Sequence, residues 1–82
     1  MSVERTIYRA ETAVDGIEHV LYGYDPQIRV YYMEAFDQQG HVVDSMSWEN
    51  NPTRLSYLLA QFDYYGIHDP RAQRAVKHGL PF

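Results

Sequence analysis

The chain has 82 residues, eleven acidic side chains against seven lysines and arginines, a formal net charge of −4 and no cysteine. A length like this supports one domain with a small core, because such a chain buries only roughly 60–65% of the surface its unfolded form exposes. Cysteine chemistry of every kind is excluded, and no apolar stretch approaches the roughly 20 residues of a membrane span.

Met1 to Thr6 lack a basic segment followed by an apolar one. No secretory leader is therefore read, and a cytoplasmic location is expected. Residues 5–14 and 17–24 are predicted strands, joined at Val14-Asp15-Gly16-Ile17, where Asp-Gly accepts the positive φ angles of a two-residue hairpin turn. Ile7, Ala10, Ala13 or Val14, and Ile17 also fit a helical period. Gly16 weakens that alternative, and the Asp-Gly turn favours the strand.

Tyr24-Asp25-Pro26-Gln27 reads as a second turn, with Pro presetting φ. Residues 28–36 are the strongest strand by β-branched and aromatic content. Asp37-Gln38-Gln39-Gly40 then leads into a fourth strand at about 41–48. Asn51-Pro52 opens a helix over 52–65 with Leu55, Leu58, Leu59 and Phe62 on one stripe, and Gly66 closes it. Asp69-Pro70 opens a second helix over 70–78 carrying Ala72, Ala75 and Val76, closed by Gly79. The predicted fold is α+β, a single domain over 1–82: a four-stranded antiparallel β-meander at about 5–48, followed by two C-terminal α-helices packed on one face.

A three-residue loop with Gly40 in the left-handed position sets Phe36 opposite Val42, Tyr32 opposite Met46 and Val30 opposite Trp48. That apolar face is expected to take the helices. The predicted core is Val30, Tyr32, Phe36, Val42, Met46, Trp48, Leu55, Leu58, Leu59, Phe62, Ile67 and Val76. The same register puts Glu34 opposite Asp44, an unfavourable like-charge pair. The reverse face carries Arg29, Tyr31, Met33, Ala35, Val43, Ser45 and Ser47, a mixed surface suited to a protein partner or a homodimer.

Chemistry-bearing motifs are missing. His19, His41, His68 and His78 show no i, i+4 metal spacing, and the serines lie in no Gly-x-Ser-x-Gly elbow. The five glycines form no phosphate loop. No catalytic residue, metal ligand or cofactor is expected, and the chain is read as a non-enzyme. Glu34 and Asp44 are the one candidate carboxylate pair, so a small enzyme or ligand binder built on them is kept as an alternative.

The charge is unevenly spread. Residues 1–52 hold nine acids against three arginines, and residues 53–82 hold two acids against Arg54, Arg71, Arg74 and Lys77. This is an acidic sheet beside a basic helical end. The favoured function is a non-enzymatic protein-binding module (an inhibitor, adaptor or accessory regulator) with Tyr31, Met33, Glu34, Asp37, Asp44, Arg54 and Tyr57 as its contact residues. Tyr57, Gln61 and Tyr64 share the outward side of the first helix. The alternative is a nucleic-acid-binding regulator contacting phosphates or an acidic partner through Arg71, Arg74 and Lys77. No membrane partner is expected.

Overall fold

The computed structural model describes residues 4–49 and 52–82. Its elements are β1 (Tyr8–Glu11), β2 (His19–Asp25), β3 (Val30–Phe36), β4 (Val42–Glu49), α1 (Pro52–Tyr65) and α2 (Pro70–His78). The four strands form one antiparallel sheet in the order β1-β2-β3-β4, and the helices follow. This is the expected α+β arrangement.

The turns show how local chemistry places the strands. At the first, the Ile17 amide donates to the Val14 carbonyl at 3.2 Å and Gly16 takes φ 82°. The turn sits where expected but is not a two-residue hairpin. Asp15 keeps a negative φ, and the strands end at Glu11 and resume at His19. At the second, Asp25 closes β2 and its carboxylate accepts from the Gln27 amide at 3.0 Å. The chain then turns through Pro26 to Arg29, whose φ is 56°.

The third turn fixes the register of the last two strands, and then the register changes. Gly40 has φ 83°, the Asp37 amide donates to His41, and Phe36 faces Val42, as predicted. One residue later the pairing slips. Ala35 faces Asp44, Met33 faces Met46 and Tyr31 faces Trp48, so Val43 is an extra residue in β4. Such a bulge leaves two residues opposing one. Because side chains alternate with a period of two, a slip of one residue exchanges the two faces of everything beyond it.

The predicted core face is corrected accordingly. Tyr31, Met33 and Ala35 are fully buried beneath the helices with Val20, Tyr22 and Tyr24. Val30 and Phe36 are only half-buried, and Val42 is 48% exposed. Tyr32 is buried by another route, under the chain ahead of β1, where its hydroxyl donates to the Thr6 carbonyl and the Arg5 guanidinium lies 4.9 Å from its ring centre. From the helices, Leu55, Leu58, Phe62, Ile67 and Val76 are buried as predicted, while Leu59 and Met46 pack at the margin. The side chain of Trp48 lies outside the described residues.

The helices carry the stop signals read from sequence. Asp69 accepts from the Ala72 amide at 3.2 Å, Pro70 occupies the first turn, and Gly79 adopts φ 68° with its amide on Val76 at 3.1 Å. Gly66 ends α1 at φ 70°, and the Ile67 amide reaches back to Phe62 at 2.8 Å. The expected cap at Asn51 lies outside the described residues. Tyrosine hydroxyls then bind the layers together. Tyr22 donates to Asp69 at 2.8 Å, Tyr31 to the Leu80 carbonyl at 2.8 Å and Tyr65 to Asp44 at 2.9 Å. Among the described residues no buried side-chain polar atom lacks a partner.

Candidate partner-binding surface

Both helices lie on one side of the sheet, which leaves the other side bare except where residues 4–7 cover Gly23 and Tyr32. The bulge decides what that bare face presents. Rows across the strands run Glu11–His19–Phe36–Val42 and Arg9–Leu21–Glu34–Ser45. His19 and Phe36 stack with ring centres 4.8 Å apart and planes within 9°. Leu21 is half-buried beside them, and Val42 and Val43 stand exposed at the β4 end. The result is an apolar centre of Leu21, His19, Phe36 and the paired valines.

Charges surround this centre. Glu18 accepts from Arg9 at 3.2 Å and lies 2.7 Å from Nδ1 of His19. Glu11 ends the first row, and Glu34 stands within the second, directly opposite Leu21, on the same face. An apolar middle with a charged rim is the usual anatomy of a protein contact surface. The sequence reading missed Leu21, His19 and Phe36 as surface residues, because its register turned Phe36 inward. The doubled valine, Val42-Val43, was the available signal, since two adjacent β-branched residues break the alternation of a half-buried strand.

The expected contact residues are redistributed. Tyr31 and Met33 are core and present no surface. Burial pushes the Tyr31 hydroxyl up to about 12. Glu34 and Asp44 are not a pair: Glu34 faces Ser45 on the bare side, and Asp44 turns under α1 to receive the Tyr65 hydroxyl. Burial, reinforced by that carboxylate, pushes Tyr65 up to about 12. The carboxylate-pair alternative therefore loses its geometry.

Asp37 is occupied by its own turn. Its carboxylate accepts from the backbone amides of Gln39 and His41, each at 2.9 Å. These donors, His41 first, hold the carboxyl below the usual aspartate range. Tyr57 is exposed on α1 as expected, and the side chain of Arg54 lies outside the described residues.

The basic end is also rearranged. Arg71 is exposed, and its guanidinium lies 4.9 Å from the Tyr8 ring centre in a cation–π contact. Arg74, Lys77 and His78, with Gln73 and Leu59, line a shallow groove of about 450 Å³ between α2 and α1. Among the described residues no group of three His, Cys, Asp or Glu side chains could hold a metal, and no helix is long and apolar enough to cross a membrane. Comparison with protein families, curated proteins and solved structures finds no match for this chain.

Proposed function

We propose that this protein is a non-enzymatic protein-binding module, an adaptor or regulator, that takes a basic and partly apolar partner surface onto its bare sheet face. The observation that supports it is the apolar centre of Leu21, the His19–Phe36 stack, Val42 and Val43 with Glu11, Glu18 and Glu34 around it. An acidic rim steers a basic partner and speeds its approach, while the apolar centre supplies most of the affinity once water is excluded.

The test is comparative affinity capture from a native lysate. Wild type is compared with Val43→Arg, which breaks the centre, and with a Glu11→Lys/Glu34→Lys variant, which reverses the rim. A partner held by wild type through nuclease treatment and lost by both variants supports the reading. Equal recovery by all three refutes it.

The groove favours a second reading. Arg74, Lys77 and His78 converge over Leu59, and no carboxylate is among the lining residues. This is a place for phosphates of a nucleic acid or for an acidic segment. It predicts nuclease-sensitive recovery, steep weakening with salt, and loss on Arg74→Ala/Lys77→Ala.

A further inference from the structure

Several arginines are engaged inside the fold. Arg9 pairs with Glu18, and Arg5 and Arg71 lie over the Tyr32 and Tyr8 rings. Arg74 and Lys77 differ. Among the described residues neither has a carboxylate within 4 Å or a ring beneath it. Both are exposed, they stand one helical turn apart, and they meet with His78 on the groove between α1 and α2. Lys77 and His78 belong to the last turn of α2, where a cation offsets the helix dipole. Arg74 stands a turn earlier, and that role does not account for it.

The floor beneath these cations is apolar. Leu59 packs against the core yet is only partly buried, and its open part lines the groove. Gln73 is fixed in the wall, where its side-chain amide donates to the Ile67 carbonyl at 3.2 Å. No carboxylate is among the lining residues. Asp63, one turn beyond Leu59 on α1, is exposed and forms no ion pair among the described residues, so it does not neutralise Arg74 or Lys77.

We propose that this groove binds a short acidic segment of a protein partner, with carboxylates on Arg74 and Lys77 and one bulky apolar side chain on Leu59. The proposal rests on the groove reading above and narrows it to one ligand class. Arg74 presents a planar fork that matches a carboxylate, and Lys77 adds a point charge. From Arg74 to His78 the helix rises about 6 Å, so the row serves two or three residues of an extended chain. Charge and shape favour a peptide over a nucleic acid. Three cations answer at most three phosphates, against the roughly 6–10 contacts of a strongly salt-dependent DNA binder. A phosphate backbone also brings nothing apolar to Leu59. The chain carries a net charge of −4, which opposes a long polyanion over the whole molecule. Glu11, Glu18 and Glu34 lie on the bare side of the sheet, away from the helices. A short segment in the groove feels them only across the sheet, through a potential that falls off over about 8 Å at physiological salt.

The test is selection of a random dodecapeptide library, displayed on phage, against the wild-type chain, followed by fluorescence anisotropy with the enriched peptides. The same peptides are titrated onto Arg74→Ala/Lys77→Ala and onto Val43→Arg, which alters only the bare sheet face, and are competed with a ten-nucleotide single-stranded DNA. All three substituted residues are exposed, and far-ultraviolet circular dichroism checks that each variant folds. Enriched peptides are expected to carry two or more acidic residues close to a Leu, Ile or Phe. They should bind wild type and Val43→Arg alike and lose at least tenfold in affinity on the groove variant. Replacing their apolar residue by Ser should weaken binding at least fivefold. No enrichment, enriched peptides without acidic residues, or equal affinity for the groove variant overturns the proposal. DNA that binds wild type more tightly than the peptides and is lost on the groove variant overturns it too, and leaves the groove to phosphates. A wild type that is dimeric in sedimentation and monomeric as Arg74→Ala/Lys77→Ala also overturns it, since the acidic face of a second copy would then fill the groove. Peptides lost on Val43→Arg and kept by the groove variant overturn it while supporting the sheet-face reading.

Discussion

Gly23, in the middle of β2, gives the sharpest test of how the sheet is held at its first edge. The chain ahead of β1 crosses closely over this residue. A Cβ added to Gly23 would lie 2.0 Å from the Thr6 carbonyl oxygen, 2.8 Å from its carbon and 2.8 Å from the Tyr32 hydroxyl. Ordinary contact requires roughly 3.4 Å, so in Gly23→Ala the Thr6 backbone must retreat by about 1.4 Å. Thr6 is held by its amide on the Tyr24 carbonyl at 3.0 Å, by the Tyr24 amide on its hydroxyl at 2.9 Å, and by the Tyr32 hydroxyl on its carbonyl. A displacement of that size breaks these bonds. At about 1 kcal/mol net each, the loss is roughly 3 kcal/mol, offset by up to about 1 kcal/mol for replacing glycine in a strand. Detachment of residues 4–7 sets the ceiling, because the chain gives way before the sheet does. The expected destabilisation is about 2–3 kcal/mol, a fall in Tm of roughly 10–20 °C for a domain of this size. Thermal and urea unfolding measure it, and amide exchange at Thr6 should become fast in the variant. A cost below about 0.5 kcal/mol would show that the crossing segment is not pinned and refute the reasoning.

Three further predictions concern the core and its polar fastenings. Leu58→Ala should cost about 2–5 kcal/mol in urea unfolding, whereas Leu59→Ala, at the core margin, should cost less than half as much; equal costs would contradict the packing. Asp69→Ala removes both the α2 cap and the acceptor of the Tyr22 hydroxyl, so about 2 kcal/mol should be lost, and Asp69→Asn should recover most of it. The folded chain holds Tyr31 and Tyr65 up to about 12, mainly by burial, against an ordinary value of 10. Because the unfolded chain ionises them first, stability is intact below about pH 10 and falls between about pH 10 and 12. Absorbance at 295 nm should show a late phase of ionisation coincident with loss of circular dichroism, and a single early phase with the fold intact would exclude this coupling.

The helices were legible residue by residue, because Asp69-Pro70 and the closing Gly66 and Gly79 act locally and nothing distant competes with them. The strands were legible as elements but not as faces. The Gly40 turn gives the correct pairing of Phe36 with Val42, and every assignment beyond it rested on extending that pairing unchanged. Val43 interrupts it. The pairing of Glu34 with Asp44, the exposed Tyr31 and the buried Val42 all failed together for that one reason. The like-charge clash of Glu34 against Asp44 was itself the trace of the error. A sheet that placed both on one face would carry an electrostatic cost, and the bulge removes it by sending Asp44 under α1 to the Tyr65 hydroxyl.

Tyrosine usage follows from the same constraint. A short chain with few large aliphatics fills its core with rings, but every buried hydroxyl then needs a partner. Here the partners come from outside the sheet: the cap of α2 for Tyr22, the carbonyl of Leu80 for Tyr31, and the Thr6 segment for Tyr32. Each hydroxyl thus fixes a neighbouring element at one angle, and the rings that suggested a binding surface are consumed by the fold. Of the eight tyrosines, only Tyr57 and Tyr64 stay more than half exposed, both on the outward side of α1. Tyr64 still packs edge-to-face on Tyr65, with ring centres 4.9 Å apart, and so helps seat the ring whose hydroxyl reaches Asp44.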